Sequence, residues 1–125
     1  MDSFKSSAPL IARVLTGALF LLAGLGKLGD VAGFSGYLAS GGLPAFLAWP
    51  AVLFEIAVGA ALVVGFQTRI AALAAAAFCV FAALLYHSNF ADPMQMATFL
   101  KNLAIAGGLV LLASTGAGRL AVDKA

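Results

Sequence analysis

Charged residues are scarce in this chain: seven Lys and Arg and five Asp and Glu make up 10% of its 125 residues. A soluble domain carries roughly 25% charged residues. The 63% of residues that are hydrophobic form four stretches, each near the roughly 20 apolar residues that a membrane-spanning helix needs. The composition therefore favours an integral membrane protein in a lipid bilayer. In that class, a net charge of +2 reports orientation and predicts no nucleic-acid partner.

Cysteine and histidine occur once each, as Cys79 and His87. One cysteine excludes an internal disulfide and a CxxC redox pair. One histidine excludes bis-histidine haem ligation within one chain and leaves too few ligands for a metal cluster. We therefore predict no metal site. Cys79 lies in an apolar run and is interpreted as a small buried hydrophobe.

The apolar stretches predict an all-α fold: one domain over residues 1–125, forming a four-transmembrane-helix bundle. The predicted spans cover about 8–28, 50–66, 70–86 and 93–114. The connections are short, so consecutive helices should be antiparallel neighbours. The first apolar run is longer than the apolar core of a signal peptide, and Lys27 stands where cleavage would occur. We expect this run to be a retained helix.

The segment between the first two spans is rich in glycine and predicts a short interfacial helix. Asp30 can cap its start, and Gly41-Gly42 would end it. Val31, Phe34 and Leu38 give it one apolar face, as expected for a helix that lies along the membrane surface. The last span has a similar start signal in Asp92-Pro93-Met94-Gln95, where Gln95 can complete a capping box.

Basic residues gather at the end of the predicted bundle that holds both termini. They are Lys5, Arg13, Arg69, Arg119 and Lys124. The positive-inside rule then predicts a multi-pass protein with both termini in the cytoplasm. Arg13, near the inner boundary, is interpreted as an orientation or lipid-headgroup residue.

Five polar residues within or beside the spans form the candidate site: Lys27, Glu55, His87, Lys101 and Asn102. Charge at membrane depth is costly and is by default functional. At about 1.5 Å per residue, Glu55, Lys101 and Lys27 lie roughly 15, 18 and 22 Å above the inner boundary of a hydrocarbon core about 30 Å thick. They are therefore expected to converge in the outer leaflet as a ligand-binding site.

A structural role is the alternative for each of these residues. Glu55 can pair with Lys27 or Lys101 merely to hold the bundle together, Lys27 can snorkel to the headgroups, and His87 can be an ordinary interfacial residue. However, two lysines outnumber one glutamate. A closed site would need a neutral lysine or a ligand that balances the charge. The pattern thus indicates either an acidic or carbonyl-bearing ligand or a group that tunes a proton.

The sequence resembles the DoxX family of small bacterial membrane proteins over about residues 9–114. The matching positions are Arg13-x-x-x-Gly17-x-x-Phe20-x-x-Ala23-Gly24-x-x-Lys27, then Glu55 with Gly59, then Gly65, Thr68 and Arg69, then His87, and finally Lys101-Asn102-Leu103-Ala104 with Gly107-Gly108. The resemblance implies a four-helix bundle in a bacterial inner membrane. It also implies an oxidoreductase-associated or quinol-oxidase-associated subunit.

Three functions are compatible with these features. In the first, a redox-associated subunit binds a quinone or similar carbonyl compound through Glu55, Lys101 and His87, with Phe20, Trp49 and Tyr86 as walls. In the second, a non-catalytic assembly protein binds a lipid, an acidic metabolite or a partner subunit. In the third, an oligomer transports a small molecule. The sequence contains no self-sufficient catalytic motif, so it leaves open whether the chain is an enzyme; small residues on several helices suggest self-association.

Overall fold

The computed structural model describes residues 2–86 and 89–123, and this part of the chain is helical without strands. Its helices are α1 (Asp2–Lys27), α2 (Val31–Ser40), α3 (Ala48–Val64), α4 (Thr68–Tyr86) and α5 (Pro93–Thr115), with 3-10 turns at Leu28–Asp30 and Ala45–Leu47. In these residues, four helical segments are long and apolar enough to cross a membrane. They contain α1, α3, α4 and α5 respectively. The predicted all-α, four-span fold is therefore confirmed.

Close packing of glycines joins α1 to α3 as an antiparallel pair. A Cβ added to Gly59 would lie 2.7 Å from Leu21 Cα and 2.8 Å from Gly17 O. A Cβ on Gly24 would lie 2.7 Å from Ile56 Cγ1. The two backbones can approach this closely only because these positions carry no side chain, as the small residues of membrane helices predict.

The second antiparallel pair, α4 with α5, packs on the alanine face of α4. Ala72 and Ala75 are fully buried there, and they share the core with Leu109 of α5. The small alanine side chains let these two helices approach closely. Contacts between the α1–α3 pair and the α4–α5 pair are sparser than those within each pair.

The two ends of the bundle differ, and we name them by what they hold. The terminal end holds the start of α1, residues 116–123 and the α3–α4 turn, where Gly65 (φ 75°) ends α3 in the left-handed conformation. The loop end holds α2 and the α4–α5 connection. Asp30 caps α2 by accepting a hydrogen bond from Gly33 N, and Gly41 ends that helix, both as predicted.

The capping box predicted at the start of α5 is wrong in one detail. Asp92 does accept from Met94 N at 2.9 Å, and Pro93 occupies the first turn. Gln95, however, accepts from Asn89 N at 3.1 Å rather than from the backbone of Asp92. The preceding turn brings the Asn89 amide within reach of the Gln95 side chain, and spacing along the sequence does not reveal that contact.

Arg13 is fully buried, which contradicts its interpretation as an orientation or lipid-headgroup residue. Its guanidinium donates to carbonyls at the end of α3 (Val63 O, 2.6 Å; Leu62 O, 3.4 Å). It also donates to the C-terminal tail, residues 116–123, at Ala117 O (2.9 Å), Arg119 O (2.7 Å) and Leu120 O. Arg13 therefore fixes the tail to the bundle by satisfying carbonyls that helix ends leave free.

Asp123 holds the C-terminal tail to the α3–α4 turn at the same end of the bundle. Its carboxylate accepts from the backbone N–H groups of Gln67 (2.7 Å) and Thr68 (2.8 Å), and so caps the start of α4. Burial alone raises the pKa of this carboxyl. The hydrogen bonds from Thr68 and Gln67 and the charge of Arg13 outweigh that effect, so the pKa of Asp123 lies below its ordinary value.

Candidate functional site

A cavity of about 1100 Å³ lies between the two helix pairs in the half of the bundle nearer the loop end. Its wall is mostly apolar and aromatic. All helices contribute to it: α1 with Phe20 and Lys27, α2 with Phe34 and Tyr37, α3 with Phe54 and Glu55, α4 with Phe78, Cys79 and Tyr86, and α5 with Asn102 and Ile105. This volume slightly exceeds the roughly 300–1,000 Å³ typical of small-molecule sites.

An ion pair between Lys27 and Glu55 forms the charged part of the cavity wall. Lys27 Nζ lies 2.7 Å from Glu55 Oε1 and 2.8 Å from Oε2, so the lysine donates to both carboxylate oxygens. The Glu55 side chain is 5% exposed and that of Lys27 is 31% exposed. The antiparallel packing of α1 on α3 brings the last turn of α1 beside the first half of α3, and this places the two charges together.

Lys27 has a second neighbour on the cavity wall. Its ammonium lies 4.9 Å from the centre of the Phe34 ring of α2, which is a cation–π distance. This contact ties α2 to the ion pair. The alternative in which Lys27 snorkels to the headgroups does not describe this geometry, because the ammonium contacts Glu55 and Phe34.

Asn102 reaches the cavity from the opposite helix pair. It lies on the side of α5 that also carries Ile105 and the buried Ala106. Its amide adds one hydrogen-bonding group to a wall that is otherwise largely hydrocarbon. Thus Lys27, Glu55 and Asn102 are the predicted site residues that the fold brings to one cavity.

Lys101 does not join them. Its side chain is exposed on the outer side of α5, and it does not line the cavity. The expected convergence of Lys101 on Glu55 is therefore wrong, because neighbouring residues on a helix point about 100° apart and Asn102 takes the inward position. The excess positive charge disappears with it: the described cavity holds one lysine and one glutamate. His87 lies outside the described residues.

The aromatic wall matches the prediction in part. Phe20 and Tyr86 line the cavity, whereas Trp49 is 54% exposed and does not. Sequence reasoning missed Phe54 and Phe78, whose rings stack with centroids 5.3 Å apart. A signal was available, because Phe54 directly precedes Glu55, and Phe78 stands two turns before Tyr86 on one side of α4.

The short helix α2 covers the loop end of the cavity. Tyr37 stacks on Tyr86 with ring centroids 4.7 Å apart, and the Tyr86 hydroxyl donates to Leu38 O at 2.8 Å. A Cβ on Gly41 would collide with the Tyr86 ring. These contacts fix α2 to the end of α4. Its predicted position along the membrane surface stays a prediction.

The chemistry available in this cavity is that of a neutral polar corner in an apolar pocket. Two of the three N–H donors of Lys27 are used by Glu55, which leaves one free for a ligand oxygen. Within residues 2–86 and 89–123, no cluster of three or more His, Cys, Asp or Glu side chains is placed to hold a metal ion.

Comparisons with known proteins agree on what kind of protein this is. The chain is 40% identical over 124 residues to the inner membrane protein YqjF of Escherichia coli (strain K12), covering 99% of this chain and 95% of YqjF. It is 33% identical over 122 residues to the inner membrane protein YphA of the same organism, covering 92% of this chain and 87% of YphA. No solved structure matches it. The DoxX family model matches residues 8–88, and the chain is an integral membrane protein that belongs to the DoxX family.

Proposed function

We propose that this protein is a redox-associated subunit of a bacterial inner membrane that binds a quinone-like, carbonyl-bearing amphiphile between its helix pairs. The observation that carries the proposal is the cavity of about 1100 Å³, whose aromatic wall contains the Lys27–Glu55 ion pair and Asn102. An apolar pocket with a few convergent polar groups is the usual form of a small-molecule site.

The polar groups suit a ligand carbonyl. The remaining N–H of Lys27 and the amide of Asn102 can each donate to an oxygen acceptor. The rings of Phe54, Phe78 and Tyr86 offer flat apolar surfaces against which a planar ring packs. An isoprenoid or acyl tail would remain in the apolar remainder of the cavity or in lipid.

Charge balance favours an uncharged ligand over an acidic one. Glu55 already neutralises Lys27, and a second carboxylate entering the cavity would lie beside Glu55 in a weakly screened environment. A carbonyl group carries no such cost. The chain has a single Cys and a single His, so we propose that electrons reach a bound quinone through a partner subunit.

The proposal is tested by measuring quinone retained on protein purified from native membranes. Removing the ion pair by Glu55→Gln or Lys27→Met should lower the quinone per protein at least about tenfold, because each substitution leaves a buried group without its partner. Lys5→Met, which removes an exposed lysine at the terminal end, is the matched control and should retain the ligand. Thermal unfolding of each variant separates loss of ligand from loss of fold.

Three outcomes would contradict the proposal. Equal retention in Glu55→Gln and in the unmodified protein would exclude the ion pair as part of the site. Recovery of an acidic metabolite or a phospholipid in place of a quinone would favour the non-catalytic binding role. A loss of ligand in Lys101→Met as large as that in Lys27→Met would restore Lys101 to the site and overturn the assignment to this cavity.

A further inference from the structure

Lys101 stands on the outer side of α5 within a membrane-spanning helix. It lies eight residues beyond Pro93, or about 12 Å along the helix. Its exposed neighbours Leu100 and Leu103 are apolar. Lys101 makes no hydrogen bond or ion pair with any other residue that the structure describes. An unpaired charge inside a span is costly, so this position indicates an anionic group supplied from outside the chain.

Two glycines about two helical turns beyond Lys101 are equally unexplained by the fold of the chain itself. Gly17, Gly24 and Gly59 each leave room for a neighbouring helix. A Cβ on Gly107 or Gly108 would instead meet open space. A glycine inside a helix costs about 1 kcal/mol relative to alanine, and here no contact within the described chain offsets that cost.

These residues share one surface of α5. Ala104 and Gly108 are exposed and lie opposite the buried Ala106, and the exposed Lys101 and Gly107 flank them. We call this set the α5 face. It is rich in small residues beside a single positive charge, and α5 is the least buried of the four spans. Small residues let a second helix approach closely, and polar groups in such contacts hydrogen-bond across helices.

We propose that the α5 face docks a transmembrane helix of another protein, one that carries an Asp or Glu in the membrane at the depth of Lys101. Charge complementarity selects this occupant, because a carboxylate on the partner helix compensates Lys101 while the small residues allow the two backbones to meet. The inference is independent of the cavity, since it uses none of the residues that line it.

A second copy of this chain does not fit the face. Two copies meeting there would bring their Lys101 side chains together. Among the described side chains, Glu55 is buried and paired, Asp30 and Asp92 cap helices at the loop end, and Asp123 caps α4 at the terminal end. None of them is free at the depth of Lys101.

A lipid headgroup explains less of the surface than a helix does. An anionic headgroup could accept a hydrogen bond from Lys101 after the side chain extends towards the interface. A headgroup has no requirement for glycines about two turns deeper in the bilayer. The combination of Lys101 with Gly107 and Gly108 therefore favours a helix over a lipid.

The test uses the full chain in phosphatidylcholine vesicles and two synthetic transmembrane peptides. The peptides are Leu/Ala helices that differ only in one residue, Glu or Gln, placed at the depth of Lys101. Energy transfer between labelled protein and peptide measures association. The Glu peptide should bind about tenfold more tightly than the Gln peptide, the range that polar contacts between membrane helices supply.

Variants of the α5 face decide whether the preference arises there. Lys101→Met should abolish the preference for Glu, whereas Lys101→Arg should keep it. Gly108→Leu should weaken binding of both peptides. Ala60→Leu, the same kind of change at an exposed position of α3, should leave binding unchanged. Because the face contacts no other helix of the described chain, these variants should keep the fold, which thermal unfolding checks.

Three results would overturn the inference. The first is equal binding of the two peptides, or a Glu preference that survives in Lys101→Met. The second is energy transfer between two labelled copies of this chain that Gly108→Leu abolishes. The third is loss of the Glu preference when phosphatidylglycerol is added to the vesicles, which would assign Lys101 to lipid headgroups. All three leave the proposed quinone site untouched.

Discussion

Arg13 shows at the scale of one residue how a buried cation is satisfied without an acidic partner. It donates to carbonyls of α3 and of the C-terminal tail, including Val63 O at 2.6 Å and Arg119 O at 2.7 Å. Arg13→Ala should lower the free energy of unfolding by about 3 kcal/mol, because hydrogen bonds from a charged group are each worth about 1.5–3 kcal/mol and buried carbonyls would lose their donor. Arg13→Lys, with three donors instead of five, should recover part of the loss.

The readout for Arg13 combines stability with the position of the tail. Thermal unfolding in detergent gives the stability difference, and the rate of trypsin cleavage after Arg119 reports release of residues 116–123. Both should change in Arg13→Ala and neither in Lys5→Ala, an exposed control near the same terminus. Unchanged cleavage in Arg13→Ala would show that contacts of the tail other than those of Arg13 hold it in place.

A residue of the site was predictable from the sequence when its partners are side chains, and not when its partners are backbone atoms. Pairing of Glu55 with a lysine follows from the rule that charges inside a membrane pair with one another, but the sequence left both Lys27 and Lys101 open as its partner. The role of Arg13 does not follow from that rule, because its partners are backbone carbonyls. The choice between Lys101 and Asn102 as the inward residue also escaped prediction. The two residues are adjacent on α5, and only the packing of α5 against the other helices decides which of them points inward.

At the scale of the helix pair, contact between α1 and α3 depends on Gly59. A Cβ there would lie 2.7 Å from Leu21 Cα, an atom of the backbone that cannot move aside cheaply. Gly59→Ala should therefore destabilise the protein by about 1–3 kcal/mol, the usual cost of overpacking. Gly26→Ala is the control: its Cβ would meet nothing within 4 Å, so the change should be neutral or stabilising by up to about 1 kcal/mol.

Denaturation of the two glycine variants in mixed micelles measures these effects. Because α1 and α3 also carry Lys27 and Glu55, separation of the helices in Gly59→Ala should lower quinone retention together with stability. A Gly59→Ala protein as stable as Gly26→Ala would contradict the packing described for the pair.

The helices themselves were the most predictable feature, and the reasons are local. Asp30 and Asp92 cap α2 and α5 as their positions before the apolar runs indicated. Gly116 ends α5 with φ 86°, a conformation that suits glycine. By contrast, the start of α1 at Asp2 lies six residues before the predicted start at 8. The first two turns are polar and extend beyond the apolar pattern from which the span was predicted.

At the scale of the molecule, the cavity was not predictable from the sequence. It exists because α1 packs on α3 and α4 on α5 more closely than the two pairs pack on each other. Apolar composition alone fits a filled bundle as well as one with a cavity. The sequence did indicate that polar groups meet in the loop-end half, since alternating antiparallel helices bring equal depths together.

The orientation of the whole molecule is the remaining prediction, and it places both termini in the cytoplasm. Exposed Lys5 and Arg119 lie at the terminal end, and Arg69 there donates to the last carbonyls of α5. Asp30 and Asp92 lie at the loop end. The positive-inside rule therefore favours a cytoplasmic terminal end, although the burial of Arg13 removes it from the count.

Single cysteines in a Cys79→Ala background test this orientation. A membrane-impermeant maleimide should label Ala91→Cys at the loop end in cells with an intact inner membrane. It should label Ser3→Cys at the terminal end only after that membrane is permeabilised. Both replaced side chains are exposed, so accessibility within the protein does not limit either reaction. The reverse pattern would place the loop end and its cavity on the cytoplasmic side, and a quinone bound there would then exchange with partners in the cytoplasm.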